Sequence, residues 1–404
     1  MPVCFVQLQI LTIRRHPSNH LMARKRTRFV LISDTHNQTP KLPAGDVLIH
    51  AGDLSNTGSH SELRKTVDWL QKAPFEVKIV VAGNHDVTLD EAFYADHGAH
   101  FHNQHPENAL ECVDLLRSSP SITYLAHESR TVALQNGTTF SVFGSPYSPY
   151  CGATWAFQYP RDDAAAAAAA AIWNDIPLDT DVLVTHAPPQ HHCDANASGH
   201  ADGCKALREA LWRIRPCMHV CGHRHEGRGA ERVRWKIDQP MFSSYPLEER
   251  THVWVDPGAG TNKLSLVDLS ARGGNPLDND LARSQNVVSN SVSFSASPSA
   301  ASDAVDLAYA NVFSQSLKRS LSRRGLEAPQ HAVLGQNATS QPDGRAVTSR
   351  LDSWNSAALN GRMGRRETCV INAAIMAQSY GRGPKRFNKP IVVDIDLPEA
   401  DYSV

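Results

Sequence analysis

The sequence predicts a layered α/β domain, on two observations. Short apolar runs rich in Val, Ile and Leu recur from about Arg28 to Arg234, separated by helix-like stretches and polar loops. That is how strands buried on both faces of a sheet read. Five of the runs end directly in a polar cluster, the place where open α/β sheets hold their ligands. The chain has 404 residues, 41% hydrophobic and 20% charged, enough for one large domain or two ordinary ones around a sizeable core.

Taken in order, Arg28–Ser33 (RFVLIS), Val47–His50, Lys78–Ala82, Asp181–Thr185 and Cys217–Cys221 read as buried strands. Ser61–Lys72 reads as a helix with Leu63, Val67 and Leu70 on one face and Ser61 as its cap. The alanine run Ala164–Ala171, preceded by Asp162 and Asp163, is the strongest intrinsic helix former. From about Ser284 to Arg366 the chain is rich in Ser, Asn, Ala and Arg and poor in large apolar residues, and is expected to be largely disordered. Helical spacing of Leu307, Val312, Phe313, Leu317 and Leu321 marks one candidate helix over Asp303–Arg323. Thr368–Ala373 and Pro390–Ile395 are again strand-like. The chain thus divides into a basic, poorly ordered leader (1–27), a folded core (28–275), a low-complexity insertion (276–366) and returning strands with a tail (367–404).

Composition excludes some partners and suggests a compartment. The formal net charge of −1 gives no whole-protein field for nucleic acid or an anionic membrane. No run approaches the roughly 20 apolar residues that span a bilayer. Neither nucleic acid nor membrane is therefore an expected partner. The eight cysteines contain no C-x-x-C pair and read as reduced, packed thiols of an intracellular, cytoplasmic protein. The apolar first 13 residues precede Arg14 and Arg15, the wrong order for a secretory signal. A stretch free of acidic residues before Asp34, with Arg24-Lys25-Arg26, leaves a mitochondrial presequence as the weaker alternative.

The chemistry sits at the five strand ends. RFVLIS runs into Asp34-Thr35-His36, VLIHA into Gly52-Asp53, and KIVVA into Gly83-Asn84-His85-Asp86. VLVT ends at His186, and CMHVC runs into Gly222-His223-Arg224-His225. Singly, these are a helix cap, a turn, a loop cluster, a satisfied histidine and an ambiguous His pair. Together, carboxylates, imidazoles and one amide suit borderline divalent metals such as Mn, Fe, Zn or Ni. One intervening residue between Asp34 and His36, or between His223 and His225, puts both side chains on one side of an extended segment. Asp53 is the candidate bridge for two ions about 3.5–4 Å apart, which can clamp a phosphoryl group.

The ordered series D-x-H, G-D, G-N-H-D, T-H and G-H-x-H resembles the calcineurin-like metallophosphoesterase superfamily over roughly residues 28–235. Finer features are similar to its MPPED-type, class III cyclic-nucleotide-phosphodiesterase-like branch. They are LIHAGDL (48–54), GSPYSP (144–149), WAF (155–157), THAPP (185–189), GHRHEGRG (222–229), VINAA (370–374) and NKPIVVD (388–394). The resemblance implies an α/β/β/α sandwich, with residues from about 236 to 366 as an insertion before the last strands. It implies one ion on Asp34, His36, Asp53 and His225 and a second on Asp53, Asn84, His186 and His223. His85 would face the substrate, and Asp86 would orient His85. The implied reaction is hydrolysis of a small phosphodiester, a cyclic nucleotide among the candidates, by a hydroxide bridging the ions.

Two alternatives stay open: a phosphomonoesterase acting on a nucleotide or phosphoprotein, and a non-catalytic protein that recruits a protein partner through 276–366. His191, His192, Arg161, Arg228 and the aromatic stretch Tyr147–Tyr159 are candidates to border the crevice, or else ordinary loop residues. Aromatic rings there would suit a base.

Overall fold

The computed structural model describes residues 24–151, 154–161, 166–237, 247–279, 364–378 and 385–399. In chain order the first half runs β1 (Arg24–Ile32), β2 (Val47–Ala51), α1 (His60–Lys72), β3 (Val77–Val81), α2 (Glu91–Phe101), α3 (Ala109–Arg117), β4 (Thr123–Tyr124), β5 (Glu128–Ala133) and β6 (Thr139–Ser145). The short β7 (Ser148–Pro149) and β8 (Gln158–Tyr159) pair with each other, followed by α4 (Ala166–Asn174), β9 (Val182–Thr185), α5 (Lys205–Ile214) and β10 (Met218–Cys221). Then come β11 (Gly229–Trp235), β12 (Glu248–Val253), β13 (Ser265–Leu269), β14 (Glu367–Asn372) and β15 (Ile391–Pro398).

The strands form a six-stranded sheet, β13-β15-β1-β2-β3-β4, and a seven-stranded sheet, β12-β11-β14-β10-β9-β6-β5. Alternation along each strand assigns its residues to two layers. Phe29, Leu31, Ile49, Ile79 and Val81 of the first sheet meet Val142, Val184, Val220 and Ile371 of the second in one buried core. The neighbours Val30, Ile32, Leu48 and Val80 point the other way, against Leu63, Val67 and Leu70 of α1 and Leu116 of α3. On the far side Leu183 and Val370 pack against Trp173 of α4 and Leu207 and Leu211 of α5. The result is the α/β/β/α sandwich. No helix among the described residues is long and apolar enough to cross a membrane.

Several expectations change in detail. The cap of α1 is Ser59 rather than Ser61: its hydroxyl accepts from the Glu62 amide while the Glu62 carboxylate reaches back to the Ser59 amide, a reciprocal capping box. β1 begins at Arg24, inside the stretch expected to be a leader. There it pairs antiparallel with β15, and Arg26 forms an ion pair with Asp394 at 3.1 Å. β12 and β13 lie in the stretch that the resemblance set outside the core, yet each forms the edge of a sheet. The candidate helix Asp303–Arg323 and most of the serine-rich insertion lie outside the described residues.

What positions the site is the run of parallel strands. β1, β2 and β3 are parallel in one sheet, and β9, β10 and β14 in the other. The chain leaving β14 crosses between the sheets: Ser33 N donates to Ala373 O at 2.9 Å and Ile375 N to Ser33 O at 2.8 Å. The carboxyl ends of both parallel sets are thereby drawn to one rim.

Candidate metal centre

All seven residues expected to hold metal converge on that rim, and all are buried: Asp34, His36, Asp53, Asn84, His186, His223 and His225. Asp34 accepts the His223 amide at 3.0 Å and lies 3.3 Å from His225 Nε2. Asp53 sits between His36 Nε2 at 3.6 Å and His186 Nε2 at 3.4 Å. The Asn84 carbonyl oxygen lies 3.0 Å from His186 Nε2 and 2.8 Å from His223 Nδ1. Two tight groups stand out: Asp34, His36 and His225, and Asp34, Asp53 and His186. The first shares Asp34, His36 and His225 with the set expected for one ion, whereas the second places Asp34 beside Asp53 and His186, which the resemblance groups with Asn84 and His223.

Local backbone geometry makes this convergence possible. Asp34, His36, Asp53 and His223 all have positive φ, between 43° and 67°, a region that β-carbon-bearing residues enter at a cost of order 1–3 kcal/mol. Each sharp turn swings its side chain off the strand end into the rim. Glycines let the backbones close in. A β-carbon on Gly83 would lie 2.3 Å from Asp53 Oδ1, and one on Gly222 would lie 2.1 Å from Asp34 Oδ2.

The donor set fits divalent metal. His36 Nε2, His223 Nε2 and His225 Nδ1 are buried with no hydrogen-bond partner, a costly arrangement unless the lone pair or proton is used. Backbone carbonyls hold Nδ1 of two of the expected ligands, His186 by Ala51 O at 2.9 Å and His36 by Ser55 O at 3.2 Å. Backbone carbonyls orient metal-ligating imidazoles in this way.

Charge tells the same story. Burial opposes ionisation of Asp34, but the hydrogen bond and charge of His225 hold it below the usual carboxylate range. Burial likewise opposes a charge on His186, yet Asp53 and Asp34 push it up to about 9. His36 is pushed down to about 4 by burial, and burial with the His186 charge lowers His223. Two buried carboxylates that draw protons onto their neighbours make an anionic site matched by cations.

His85 lies on the rim, half-buried. Its amide donates to Asp53 Oδ1 at 2.9 Å, and its ring packs against His36 at 4.8 Å between centroids. Asp86 was expected to orient this ring, and here the structure differs. The Asp86 carboxylate faces the backbone instead, accepting from the amides of Leu54, Ser55 and Gly83 and from the Ser55 hydroxyl. It ties the Gly83 turn to the loop after β2, and burial with the Asp53 charge pushes it up to about 6. The His85 ring is fixed by the Asn56 carbonyl, 2.8 Å from Nδ1.

Sequence reasoning missed several supporting residues. His50 and His219, one under each half of the rim, bond Thr35 Oγ1 at 2.9 Å and Thr185 Oγ1 at 2.8 Å, each threonine adjoining a candidate ligand. Burial pushes both rings down to about 3, so they serve as neutral props. Asn372 donates to Arg224 O at 2.7 Å and Cys193 O at 3.0 Å, clamping the loop that carries His223 and His225. A histidine two or three residues before each G-D or G-H pair was the available signal.

Among the rim candidates, His192 is buried between Glu231 and Glu248, at 2.7 and 3.1 Å. Arg228 pairs with Asp256, and Arg161 with Asp202. His191 adopts a φ of 71°, and its amide donates to Asp194. From the aromatic stretch, Trp155 reaches the centre: its ring lies 4.0 Å from that of His85.

Facing sheets with a buried carboxylate–imidazole cluster at their parallel strand ends define a metal-dependent phosphoesterase scaffold. The chain belongs to the calcineurin-like phosphoesterase family, whose model matches residues 27–227, and to its MPPED-type branch. It is 31% identical over 219 residues to a UPF0046 protein of Caenorhabditis elegans, covering 50% of this chain and 70% of that one. It is 38% identical over 214 residues to metallophosphoesterase domain-containing protein 1 of Homo sapiens, covering 50% of this chain and 62% of that one. A protein of Emericella nidulans named probable rhamnogalacturonate lyase C is 44% identical over 219 residues, covering 54% of this chain but 19% of its own length. The chain spans less than two thirds of the human and Emericella relatives, and the lyase name belongs to a protein of which a small part aligns.

Proposed function

We propose that the chain is a metal-dependent phosphodiesterase acting on a small phosphodiester, with two divalent ions, manganese among the candidates, held by Asp34, His36, Asp53, Asn84, His186, His223 and His225. The observation that carries this reading is the set of unpartnered, buried imidazole nitrogens around two ionised carboxylates. When bound, such ions supply Lewis acidity, activating water and neutralising phosphoryl charge.

The chain's own groups would do the rest. Asp53 bridges the two halves of the rim, and its hydrogen bond to the His85 amide fixes where that ring stands. With Nδ1 engaged by Asn56 O, His85 presents Nε2 to the substrate. From there it can hold a phosphoryl oxygen or give a proton to the departing oxygen. Asp86 keeps the Gly83 turn in place, a positioning role.

The free thiols of Cys112, Cys151, Cys193, Cys204, Cys217, Cys221 and Cys369 support a reducing, intracellular setting. Matched assays on bis-p-nitrophenyl phosphate and p-nitrophenyl phosphate test the substrate class. Preference for the diester is expected. Monoester turnover alone would move the reading to a phosphomonoesterase, and turnover of neither with metal bound would remove the enzymatic reading.

A further inference from the structure

Two consecutive backbone carbonyls in the loop between β2 and α1 hold imidazoles of the rim. Ser55 O lies 3.2 Å from His36 Nδ1, and Asn56 O lies 2.8 Å from His85 Nδ1. The first carbonyl is fixed through Asp86, which accepts both the amide and the hydroxyl of Ser55. The second is fixed through Glu62, in the first turn of α1. Glu62 Oε1 accepts from Asn37 Nδ2 at 2.6 Å and from Asn56 Nδ2 at 3.3 Å. Its Oε2 accepts from the amide and hydroxyl of Thr57, both at 3.2 Å, and from the amide and hydroxyl of Ser59, both at 3.1 Å.

One carboxylate thus gathers two segments of the rim: the turn after β1, where Asn37 follows the candidate ligand His36, and the loop that carries the Asn56 carbonyl. Burial opposes the Glu62 charge, yet hydrogen bonds from Asn37, Ser59 and Thr57 hold its pKa below the ordinary glutamate range. Both oxygens therefore act as strong, charge-assisted acceptors. A capping box requires only the exchange with Ser59. The bonds to Asn37, Asn56 and Thr57 go beyond it.

The His85 ring shows what the extra bonds achieve. It stacks on Trp155 at 4.0 Å and meets His36 edge-on at 4.8 Å. Ring contacts fix a plane, but they do not distinguish the two flips of an imidazole, which exchange each nitrogen with a carbon. The bond to Asn56 O does distinguish them, because a carbonyl accepts only from Nδ1–H. The direction of that carbonyl decides whether Nε2 faces the rim.

We infer that Glu62 is a positioning residue for His85: by holding Asn37, Asn56, Thr57 and Ser59 together it aims the Asn56 carbonyl at Nδ1 and turns Nε2 towards the substrate. The inference rests on the phosphoesterase reading, in which His85 meets the substrate, and adds the group that sets its orientation.

Glu62→Gln tests this in the full, zinc-loaded chain. It keeps the side chain's shape but sets an NH2 group against one of the two donor groups. Metal content should stay at the wild-type level, since Ser55 and His36 remain tied through Asp86. Turnover of bis-p-nitrophenyl phosphate should show kcat lowered about 10- to 100-fold at unchanged KM. At fixed pH, ring-nitrogen NMR of histidine-labelled wild type should show a slowly exchanging Nδ1–H on His85, identified by its loss in His85→Ala. That signal should vanish in Glu62→Gln. Ser59→Ala removes the other half of the capping box and leaves Glu62 on Asn37, Asn56, Thr57 and the Ser59 amide. It should lower the urea midpoint while kcat and the Nδ1–H signal persist.

Wild-type kcat in Glu62→Gln, or an equal loss of kcat in Ser59→Ala, would overturn the inference and leave Glu62 a helix cap. Loss of metal from Glu62→Gln would overturn it too, placing the effect at His36. Should Glu62→Gln fail to fold, Asn56→Ala cuts only the direct tie to the carbonyl-bearing residue. It should lower kcat about two- to fivefold, the worth of one hydrogen bond, and speed Nδ1–H exchange; unchanged values would overturn the inference. Active wild type with an indifferent Glu62→Gln refutes the positioning role alone. No hydrolysis of any phosphoester by metal-loaded wild type refutes the phosphoesterase reading and the positioning role together.

Discussion

Replacing Gly222 by alanine adds one methyl group and removes no ligand, so its effect isolates how closely the backbone must approach the centre. The φ of Gly222 lies outside the left-handed region, so alanine is conformationally acceptable there and space is the only obstacle. The new β-carbon would lie 2.0 Å from Ser33 Oγ and 2.1 Å from Asp34 Oδ2, where real contacts essentially never fall below 3.0 Å. Ser33 and Asp34, in the turn after β1, are fully buried, and the Asp34 carboxylate also holds the His223 amide. Something must move by about 1 Å, and the Asp34 carboxylate is one of the groups directly in the way. A displacement of that size costs about 100-fold in turnover, and a disturbed support shell costs roughly 10- to 100-fold in metal affinity. Overpacking adds about 1–3 kcal/mol of destabilisation. Metal titration after chelator stripping, phosphodiester hydrolysis and urea unfolding would measure the three effects. Gly260→Ala is the control: its φ is +63° but nothing lies within 4 Å of the new carbon, so only local strain is expected and metal affinity should not change. A Gly222→Ala protein with wild-type metal affinity and turnover would refute the account of a backbone packed against its ligands.

Two further predictions follow from the same geometry. His85→Ala should keep its metal, because the seven proposed ligands are intact, and lose about 100- to 10,000-fold in turnover; loss of metal in this variant, read by elemental analysis, would make His85 a ligand instead. Glu248 pairs bidentately with Arg208 at 2.7 and 2.6 Å and with His192 at 3.1 Å. Burial opposes its charge, yet those partners bring it down to about 2. A folded-state value below the ordinary glutamate range means stability that is full above about pH 5 and lost as pH falls towards 2. Glu248→Gln, which leaves Arg208 buried beside a neutral partner, should lower unfolding stability by about 3 kcal/mol at pH 7 and flatten that acid limb. An unchanged urea midpoint would show the cluster to be energetically idle.

The candidate site was largely legible in the sequence because each cluster of candidate ligands directly follows a buried strand. A run such as RFVLIS can sit only in the sheet, so Asp34 and His36 must emerge at its end, and the same holds for Asp53, Asn84, His186 and His223. The parallel direction of those strands does the remaining work. The Asp86 role was misplaced because adjacency to His85 in sequence says nothing about which way a tight turn points each side chain. Four backbone and hydroxyl donors pull the carboxylate inward, away from the ring. The α1 cap was readable as S-x-x-E at Ser59–Glu62, and the nearer Ser61 obscured it. β12 escaped because most of its residues are solvent-exposed, leaving no apolar pattern to read.

The measurement that bears most directly on the whole account is the metal content of purified wild type and Asp53→Asn, determined alongside bis-p-nitrophenyl phosphate hydrolysis. Asp53 links the two halves of the rim, contacting both His36 and His186. Wild type is expected to carry about two divalent ions and to turn over substrate, and Asp53→Asn to lose metal and activity together. A wild type that retains no divalent metal when offered Mn, Fe, Zn or Ni, and that behaves as the variant does, would contradict the metal centre and the phosphoesterase function built on it.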